Sequence, residues 1–116
     1  MRPDQIAFQN GVPVLVFEFK FSKYQSVYPS QIIQAQAYCL ILHQIGFKTD
    51  LLYYAIINCP PELKENKDRL KQVPRIILED FRLEKDLSQE VFIYEYNFLG
   101  VTAYLFKFFP KIINCN

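Results

Sequence analysis

The hydrophobic and polar positions of the first part of the chain predict two strands joined by a tight turn. Gln5–Gln9 has the length of a short strand, and Asn10-Gly11 after it favours a two-residue hairpin turn in which both positions have positive φ. Val12–Phe21 is apolar on both faces over its first half, as is typical of a central strand. We therefore predict a β-hairpin.

A helix is predicted next, over residues 31–45. Pro29-Ser30 marks its start, with Ser30 as the N-cap, and Gly46 ends it. Its apolar face is predicted to consist of Ile33, Ala37, Leu40 and Ile41. An apolar run of strand length follows at residues 51–57. A helix between two strands predicts a crossover connection and a partly parallel pair.

The second half of the chain is predicted to be richer in strands. The charged segment 62–72 is either an exposed helix or a mobile loop, and residues 75–83 are predicted to form a weak strand. Residues 90–96 alternate in polarity, with Phe92, Tyr94 and Tyr96 on one face. The last segment, 101–109, is either a strand or a short helix.

Composition indicates one small globular domain. The chain has 116 residues, of which 51% are hydrophobic and 22% charged, and this balance excludes a disordered or low-complexity chain. We expect a single domain over residues 1–116, with a motif-bearing core at about 1–58 and a β-rich part at about 74–110. The net charge is +1, so a nucleic-acid site would have to be a local feature.

The cysteines and the first residues bear on the cellular compartment. Cys39, Cys59 and Cys115 are odd in number and scattered, which favours free thiols in a reducing compartment over disulfides or a zinc site. The N-terminus lacks the apolar run of a signal peptide, and no apolar run is long enough to span a bilayer. We expect a soluble cytoplasmic protein without a membrane partner.

The residues most indicative of chemistry lie in the second predicted strand. Glu18 and Lys20 alternate with Phe17 and Phe19, so both charges project from one face. Asp4 begins the other strand of the hairpin, and folding at the turn brings it toward Glu18 and Lys20. Carboxylates of this kind suit Mg²⁺, which uses one or two of them and keeps several waters.

The Glu-x-Lys pattern alone is weak. It occurs twice more, at Glu62-Leu63-Lys64 and at Glu65-Asn66-Lys67, where it is better interpreted as solvated charge. An alternative for Glu18 and Lys20 is a cross-strand ion pair on a half-exposed sheet. The difference at Glu18 is its position within an apolar strand.

The predicted helix adds Gln34 and Tyr38, which lie four residues apart and share a stripe. Asp4, then Glu18-Phe19-Lys20, then Gln34 and Tyr38 follow in this order along the chain. The combination resembles the PD-(D/E)XK nuclease superfamily, specifically its RecB-like branch, which includes the CRISPR-associated exonucleases. The resemblance covers roughly the first half of the chain.

The resemblance implies a restriction-endonuclease-like α/β core, with a central mixed sheet flanked by helices. Asp4 and Glu18 would bind Mg²⁺ or Mn²⁺ together with the backbone carbonyl of Phe19. Lys20 would orient or help deprotonate the attacking water and stabilise charge on the phosphate. Gln34 and Tyr38 would position the DNA.

The chain also departs from the family. The helix and strand that usually precede the Asp-bearing strand do not precede Asp4 in this sequence, so we expect a core that lacks them or that is completed by a partner chain. The iron–sulfur members use four cysteines, three of them clustered near the C-terminus. Because the cysteines here do not match that pattern, no iron–sulfur cluster is predicted.

These inferences give three hypotheses. The first is a metal-dependent DNA nuclease with Asp4, Glu18 and Lys20 as its catalytic residues. The second is a catalytically inactive nuclease-like domain that binds nucleic acid or a protein partner, and the third is an α/β domain that only resembles the motif. A homodimer is also predicted, because unpaired sheet edges tend to be covered.

His43 and the charged segment 62–72 can each be interpreted as structural or as functional. His43, at the end of the predicted helix, is expected to have a structural role that suits the helix dipole. The charged segment is most simply a solvated face. A role in contacting phosphates is the alternative for its basic residues, Lys64, Lys67, Arg69 and Lys71.

Overall fold

A computed structural model describes residues 5–24, 26–83 and 89–110 of the chain. Within them, five strands and two α-helices form an α/β fold, which confirms the predicted class. A 3-10 turn, Pro61–Glu65, precedes the second helix. In chain order the elements are β1 (Gln5–Gln9), β2 (Val12–Phe21), α1 (Pro29–Gln44), β3 (Tyr53–Cys59), α2 (Lys67–Leu83), β4 (Val91–Tyr96) and β5 (Val101–Lys107).

The described strands form one mixed sheet in the order β1-β2-β3-β5-β4. The β2–β3 pair is parallel, and the other three neighbouring pairs are antiparallel. The parallel pair is joined through α1, which confirms the predicted crossover. Both parallel strands are therefore central, and β1 and β4 lie at the edges.

The β1–β2 hairpin forms as predicted. Asn10 has φ 54° and Gly11 has φ 76°, the left-handed conformation that a tight hairpin turn requires at both positions. The strand bounds match the predicted Gln5–Gln9 and Val12–Phe21. The register shifts between Ala7 and Phe8, where β1 contains a bulge.

The sheet has a separate hydrophobic core on each face. On one face, Val16, Tyr54 and Ile56 pack with Ala35 and Leu42 of α1. On the other face the residues of β2, β3 and β5 that point the opposite way pack with α2. The fully buried members of this second core include Leu15, Phe17, Ala55, Ile57, Ile77, Ala103 and Leu105.

The N-terminus of α1 differs from the prediction. Tyr28 is the N-cap residue rather than Ser30, and Pro29 begins the helix. The side-chain oxygen of Gln31 accepts a hydrogen bond from the Tyr28 backbone N–H at 3.0 Å, so one donor at the helix start is satisfied from within the first turn. Gly46 follows the helix with φ 106°, as predicted.

The predicted apolar face of α1 is wrong. Ile33 and Ile41 are 66% and 51% exposed, and Ala37 and Leu40 are half-buried. The buried residues are Ala35, Tyr38, Cys39 and Leu42. The helix carries apolar residues around most of its circumference, so sequence periodicity did not distinguish the side that packs on the sheet.

The predicted weak strand at residues 75–83 is also wrong, because these residues form the second half of α2. Val73, Ile77 and Phe81 recur at the four-residue spacing of a helix and pack on the sheet. The helical spacing was not recognised in the sequence because residues 76–78 are consecutively apolar, as in a strand, and because Pro74 is unfavourable inside a helix. Of the two alternatives for the charged segment, the helix is confirmed from Lys67 onward.

The remaining strands agree with the prediction in type and differ in their ends. β3 starts and finishes two residues later than the predicted 51–57. Of the two alternatives for segment 101–109, the strand is confirmed as β5. Phe92, Tyr94 and Tyr96 of β4 share the face that packs toward α2. Neither helix among the described residues has the length and apolar character needed to cross a membrane.

Candidate functional site

Glu18 and Lys20 lie on the face of β2 that α1 covers. Val16, two residues before Glu18, belongs to the core beneath α1, and strand alternation places Glu18 and Lys20 on that same side. Both side chains are half-buried. In the parallel ladder Glu18 is opposite Ile56 and Lys20 is opposite Asn58. The two charges therefore lie toward the carboxyl ends of β2 and β3, the edge where α/β proteins commonly bind ligands.

The ammonium group of Lys20 is held by the loop that leads into α1. It donates hydrogen bonds to the backbone oxygen of Ser26 at 3.0 Å and to the Ser26 hydroxyl at 3.2 Å. It also lies 3.9 Å from the centroid of the Tyr28 ring, within the range of a cation–π contact. These contacts fix Lys20 at the N-terminal end of α1.

The contacts with Ser26 and Lys20 also change the acidity of the Tyr28 hydroxyl. A hydrogen bond with Ser26 and the positive charge of Lys20 lower the pKa of the Tyr28 hydroxyl, because both stabilise the phenolate. The ring is 49% exposed. Lys20, Ser26 and Tyr28 thus form a polar group that solvent can reach.

Two buried polar side chains lie on the same side of the sheet. Asn58 is 2% exposed and Tyr38 is 5% exposed. The Asn58 side-chain oxygen and the Tyr38 hydroxyl each lack a hydrogen-bond partner within the described part of the chain. A buried polar atom without a partner costs about 1–3 kcal/mol, so native proteins keep few of them. The Asn58 oxygen and the Tyr38 hydroxyl therefore mark this place as a candidate site for a polar ligand.

Sequence reasoning missed Asn58. The residue lies between Lys20 on β2 and Thr102 on β5, and it follows the apolar part of β3. The signal was present, because a polar residue at the carboxyl end of a parallel strand lies at the ligand-binding edge of a sheet. Ser26 and Tyr28 were missed because their contacts depend on the path of a loop.

The two helix residues of the motif differ in their surroundings. Tyr38 packs in the core beneath α1, and Gln34, one turn before it, is half-buried. Long helical side chains lean toward the helix N-terminus, which is the end of α1 where Lys20 lies. Gln36, between them in sequence, donates instead to the Tyr54 hydroxyl at 3.1 Å. Burial raises the pKa of Tyr54.

Asp4 lies outside the described residues. Gln5, which follows it, is paired with Phe17, which precedes Glu18. Within the described residues, no group of three or more His, Cys, Asp or Glu side chains could hold a metal ion. Glu18 is of the donor class that Mg²⁺ and Mn²⁺ take, and these ions accept one or two carboxylates, so the donor chemistry of Asp4 and Glu18 fits such a cation.

The alternative of a cross-strand ion pair is excluded on the β3 side. The β3 residues opposite Glu18 and Lys20 are Ile56 and Asn58, and neither is charged. Lys20 makes its polar contacts with Ser26 instead. The charges of β2 are therefore not explained by pairing with the neighbouring parallel strand.

The cysteines and His43 are the remaining candidates with titratable side chains, and the contacts of those that the structure describes indicate structural roles. Cys39 and Cys59 are buried free thiols, and burial raises the pKa of each to about 12. Thiols of this kind are protonated and unreactive at neutral pH. His43 contacts the Thr49 hydroxyl at 2.8 Å and the edge of Phe108, in line with a structural role. Cys115 lies outside the described residues.

Comparison with known proteins found no family model, no curated protein and no solved structure that matches this chain.

Proposed function

We propose that this chain is a DNA nuclease of the PD-(D/E)XK type, which hydrolyses phosphodiester bonds with Mg²⁺ or Mn²⁺. One observation carries the proposal: the β2–α1–β3 crossover gathers Glu18, Lys20, Tyr38 and Asn58 on one side of the sheet. A hairpin, a Glu-x-Lys strand, a Gln-x-x-x-Tyr helix and a parallel strand follow one another in the order that the family resemblance implies. The restriction-endonuclease-like core is part of this proposal.

In this proposal the metal ligands are Asp4, Glu18 and the backbone carbonyl of Phe19. A divalent cation held there would lower the pKa of a bound water and neutralise charge that develops on the phosphate. The proposal requires Asp4 to reach Glu18. The pairing of Gln5 with Phe17 supports this requirement.

Lys20 is proposed to orient the attacking water and to stabilise charge on the phosphate. Its ammonium group now donates to neutral oxygens of Ser26. An anionic phosphate oxygen is a stronger acceptor for an ammonium than a neutral oxygen is, so a bound phosphate can replace Ser26 as a partner. Asn58, opposite Lys20 in the ladder, is proposed to help position the substrate.

Digestion of end-labelled DNA tests the proposal. Native chain, Lys20→Ala and Glu18→Gln are incubated with single- and double-stranded DNA and Mn²⁺, each with an EDTA control. Lys48→Ala and Glu62→Gln are matched controls, because both residues are exposed. We expect native chain and controls to cleave, EDTA to stop cleavage, and the two site variants to lose about 100-fold or more in rate.

Two results would contradict the proposal. Cleavage by Lys20→Ala at the native rate would remove Lys20 from the mechanism. Absence of cleavage by the native chain, with Mn²⁺ binding that does not depend on Asp4 and Glu18, would favour an inactive domain of the same fold. Binding of DNA without metal would then support that second hypothesis.

A further inference from the structure

A groove runs between the edge strand β1 and helix α2, on the face of the sheet opposite Glu18 and Lys20. It contains two cavities of about 330 and 240 Å³, which share Gln5, Lys71 and Pro74 as lining residues. Among the described strands β1 is paired only with β2, so β1 forms an edge of the sheet beside this groove. We call this feature the β1–α2 groove.

Basic residues line the α2 side of the groove. Lys67, Lys71 and Arg75 are spaced four residues apart, so they form a row along one side of the helix. All three are exposed. The described residues that line the two cavities include no Asp or Glu. None of the three cations forms an ion pair with any carboxylate in the described part of the chain.

The acidic residues of the C-terminal half of α2 are engaged elsewhere. Asp80 accepts a hydrogen bond from Tyr96 of β4, toward the opposite edge of the sheet. Glu79 pairs with Arg82 at 3.6 Å. Asp68, in the first turn of α2, lines neither cavity. The charged residues that line the groove are therefore all basic, in a chain whose net charge is only +1.

Aromatic side chains form part of the groove floor. Phe19 and Phe21 of β2 line the larger cavity, and both are half-buried rather than fully enclosed. The ammonium group of Lys64 lies 5.7 Å from the centroid of the Phe21 ring. A row of cations beside accessible aromatic rings is the combination by which proteins bind single-stranded nucleic acid without sequence preference.

We infer that the β1–α2 groove binds a single strand of nucleic acid, with phosphates along Lys67, Lys71 and Arg75 and bases toward Phe19 and Phe21. Four residues of α2 separate successive cations, a rise of about 6 Å along the helix axis. A single strand with unstacked bases can place its phosphates along this row while its bases turn toward the rings. A duplex does not fit this chemistry, because its bases are stacked and cannot reach the rings.

The inference does not depend on hydrolysis at Glu18 and Lys20, because the groove lies on the other face of the sheet. Its test therefore uses EDTA throughout, so that cleavage plays no part. The probe is a fluorescent thymidine oligonucleotide, and its binding is followed by anisotropy over a series of salt concentrations. An abasic strand of equal length and a poly-glutamate peptide serve as competitors.

The groove variant is Lys71→Gln with Arg75→Gln, and its charge-matched control is Lys23→Gln with Lys48→Gln, two exposed lysines that line neither cavity. We expect the groove variant to bind at least tenfold more weakly, and the slope of log affinity against log salt to fall by about 1.4, or 0.7 for each lost phosphate contact. The control variant should keep native affinity. Circular dichroism confirms that each variant is folded.

Phe21→Leu tests the aromatic part of the groove while keeping an apolar residue. We expect this variant to lose affinity for the thymidine strand but not for the abasic strand. Equal losses in the groove and control variants would overturn the inference in favour of unspecific electrostatic attraction. If poly-glutamate competes as well as the oligonucleotide and Phe21→Leu binds normally, the groove is a site for an acidic peptide and the inference is wrong.

Discussion

Lys20 lies with its ammonium group 3.9 Å from the centroid of the Tyr28 ring, the residue that caps α1. The lysine of the Glu-x-Lys motif is thus connected to the start of the helix that carries Gln34 and Tyr38. Ser26 completes this connection by accepting hydrogen bonds from the same ammonium group. The contact predicts a measurable titration of Tyr28.

Removing either partner should raise the pKa of Tyr28. We expect Ser26→Ala to raise it most, because the hydrogen bond with Ser26 is the largest cause of its lowering, and Lys20→Gln to raise it less. The measurement is the ultraviolet phenolate absorbance during alkaline titration, with Tyr28→Phe used to identify the component. Lys23→Gln is the control. If the Ser26→Ala variant has the same Tyr28 pKa as the native chain, the hydrogen bond between Tyr28 and Ser26 is absent in solution.

Asn58→Leu should separate stability from function. Leucine has a similar shape but no polar atoms, so the change removes a buried oxygen without a partner and should leave the free energy of unfolding unchanged or raise it by about 1 kcal/mol. DNA cleavage should fall at least tenfold if Asn58 positions the substrate. As a control, the Thr102→Val variant, changed at the residue opposite Asn58 on β5, should cleave DNA at the native rate. Urea denaturation and the digestion assay together check this prediction, which fails if Asn58→Leu cleaves like the native chain.

Substitution of one isoleucine on each helix tests which sides of α1 and α2 pack on the sheet. Ile77 of α2 is fully buried against the sheet, and Ile77→Ala should destabilise the fold by about 3 kcal/mol through lost burial and a cavity. Ile33 is 66% exposed on α1, and Ile33→Ala should cost less than about 0.5 kcal/mol. Urea denaturation measures both. A large effect at Ile33 would mean that the outer side of α1 is covered in solution.

Stability should fall at alkaline pH. The thiols of Cys39 and Cys59 have a pKa of about 12 in the fold and about 8.5 in an unfolded chain. Between these values the unfolded chain binds fewer protons than the native one, so the free energy of unfolding decreases as pH rises. The loss should be about 2 kcal/mol for each thiol by pH 10, because that pH lies about 1.5 units above the unfolded pKa and each unit corresponds to about 1.4 kcal/mol.

The measurement is the urea midpoint of native chain and Cys59→Ala between pH 8 and pH 10, a window set by the two thiol pKa values. Cys59→Ala should show a shallower decrease, because one of the titrating groups is gone. An identical decrease in both proteins would mean that Cys59 does not contribute. Below the unfolded pKa the thiols should have no effect on the pH dependence.

The features that the sequence predicted well depend on local chemistry. Asn10 and Gly11 determine the hairpin through their backbone conformation, and strand alternation alone places Glu18 and Lys20 on one face. The order of strands and helix then predicts the parallel pair. These inferences need no knowledge of distant contacts.

The features that the sequence did not predict depend on tertiary contacts. The outer side of α1, with Ile33 and Ile41, is as apolar as its buried side, so only packing on the sheet decides which is covered. Asn58 becomes a candidate site residue only through the register that sets it opposite Lys20. The β1–α2 groove likewise depends on where α2 docks, although Lys67 and Lys71 were already candidates for phosphate contact.

The parallel pairing of β2 with β3 has a kinetic consequence. The β1–β2 hairpin closes across two residues, whereas the pairing of β2 with β3 has to close the much longer connection that contains α1. Non-local pairings of this kind slow folding, because the entropy of loop closure is lost before the contacts form. We therefore expect Lys20 and Asn58 to meet after the hairpin has formed, and a nascent chain with only the hairpin lacks the sheet edge that carries both residues.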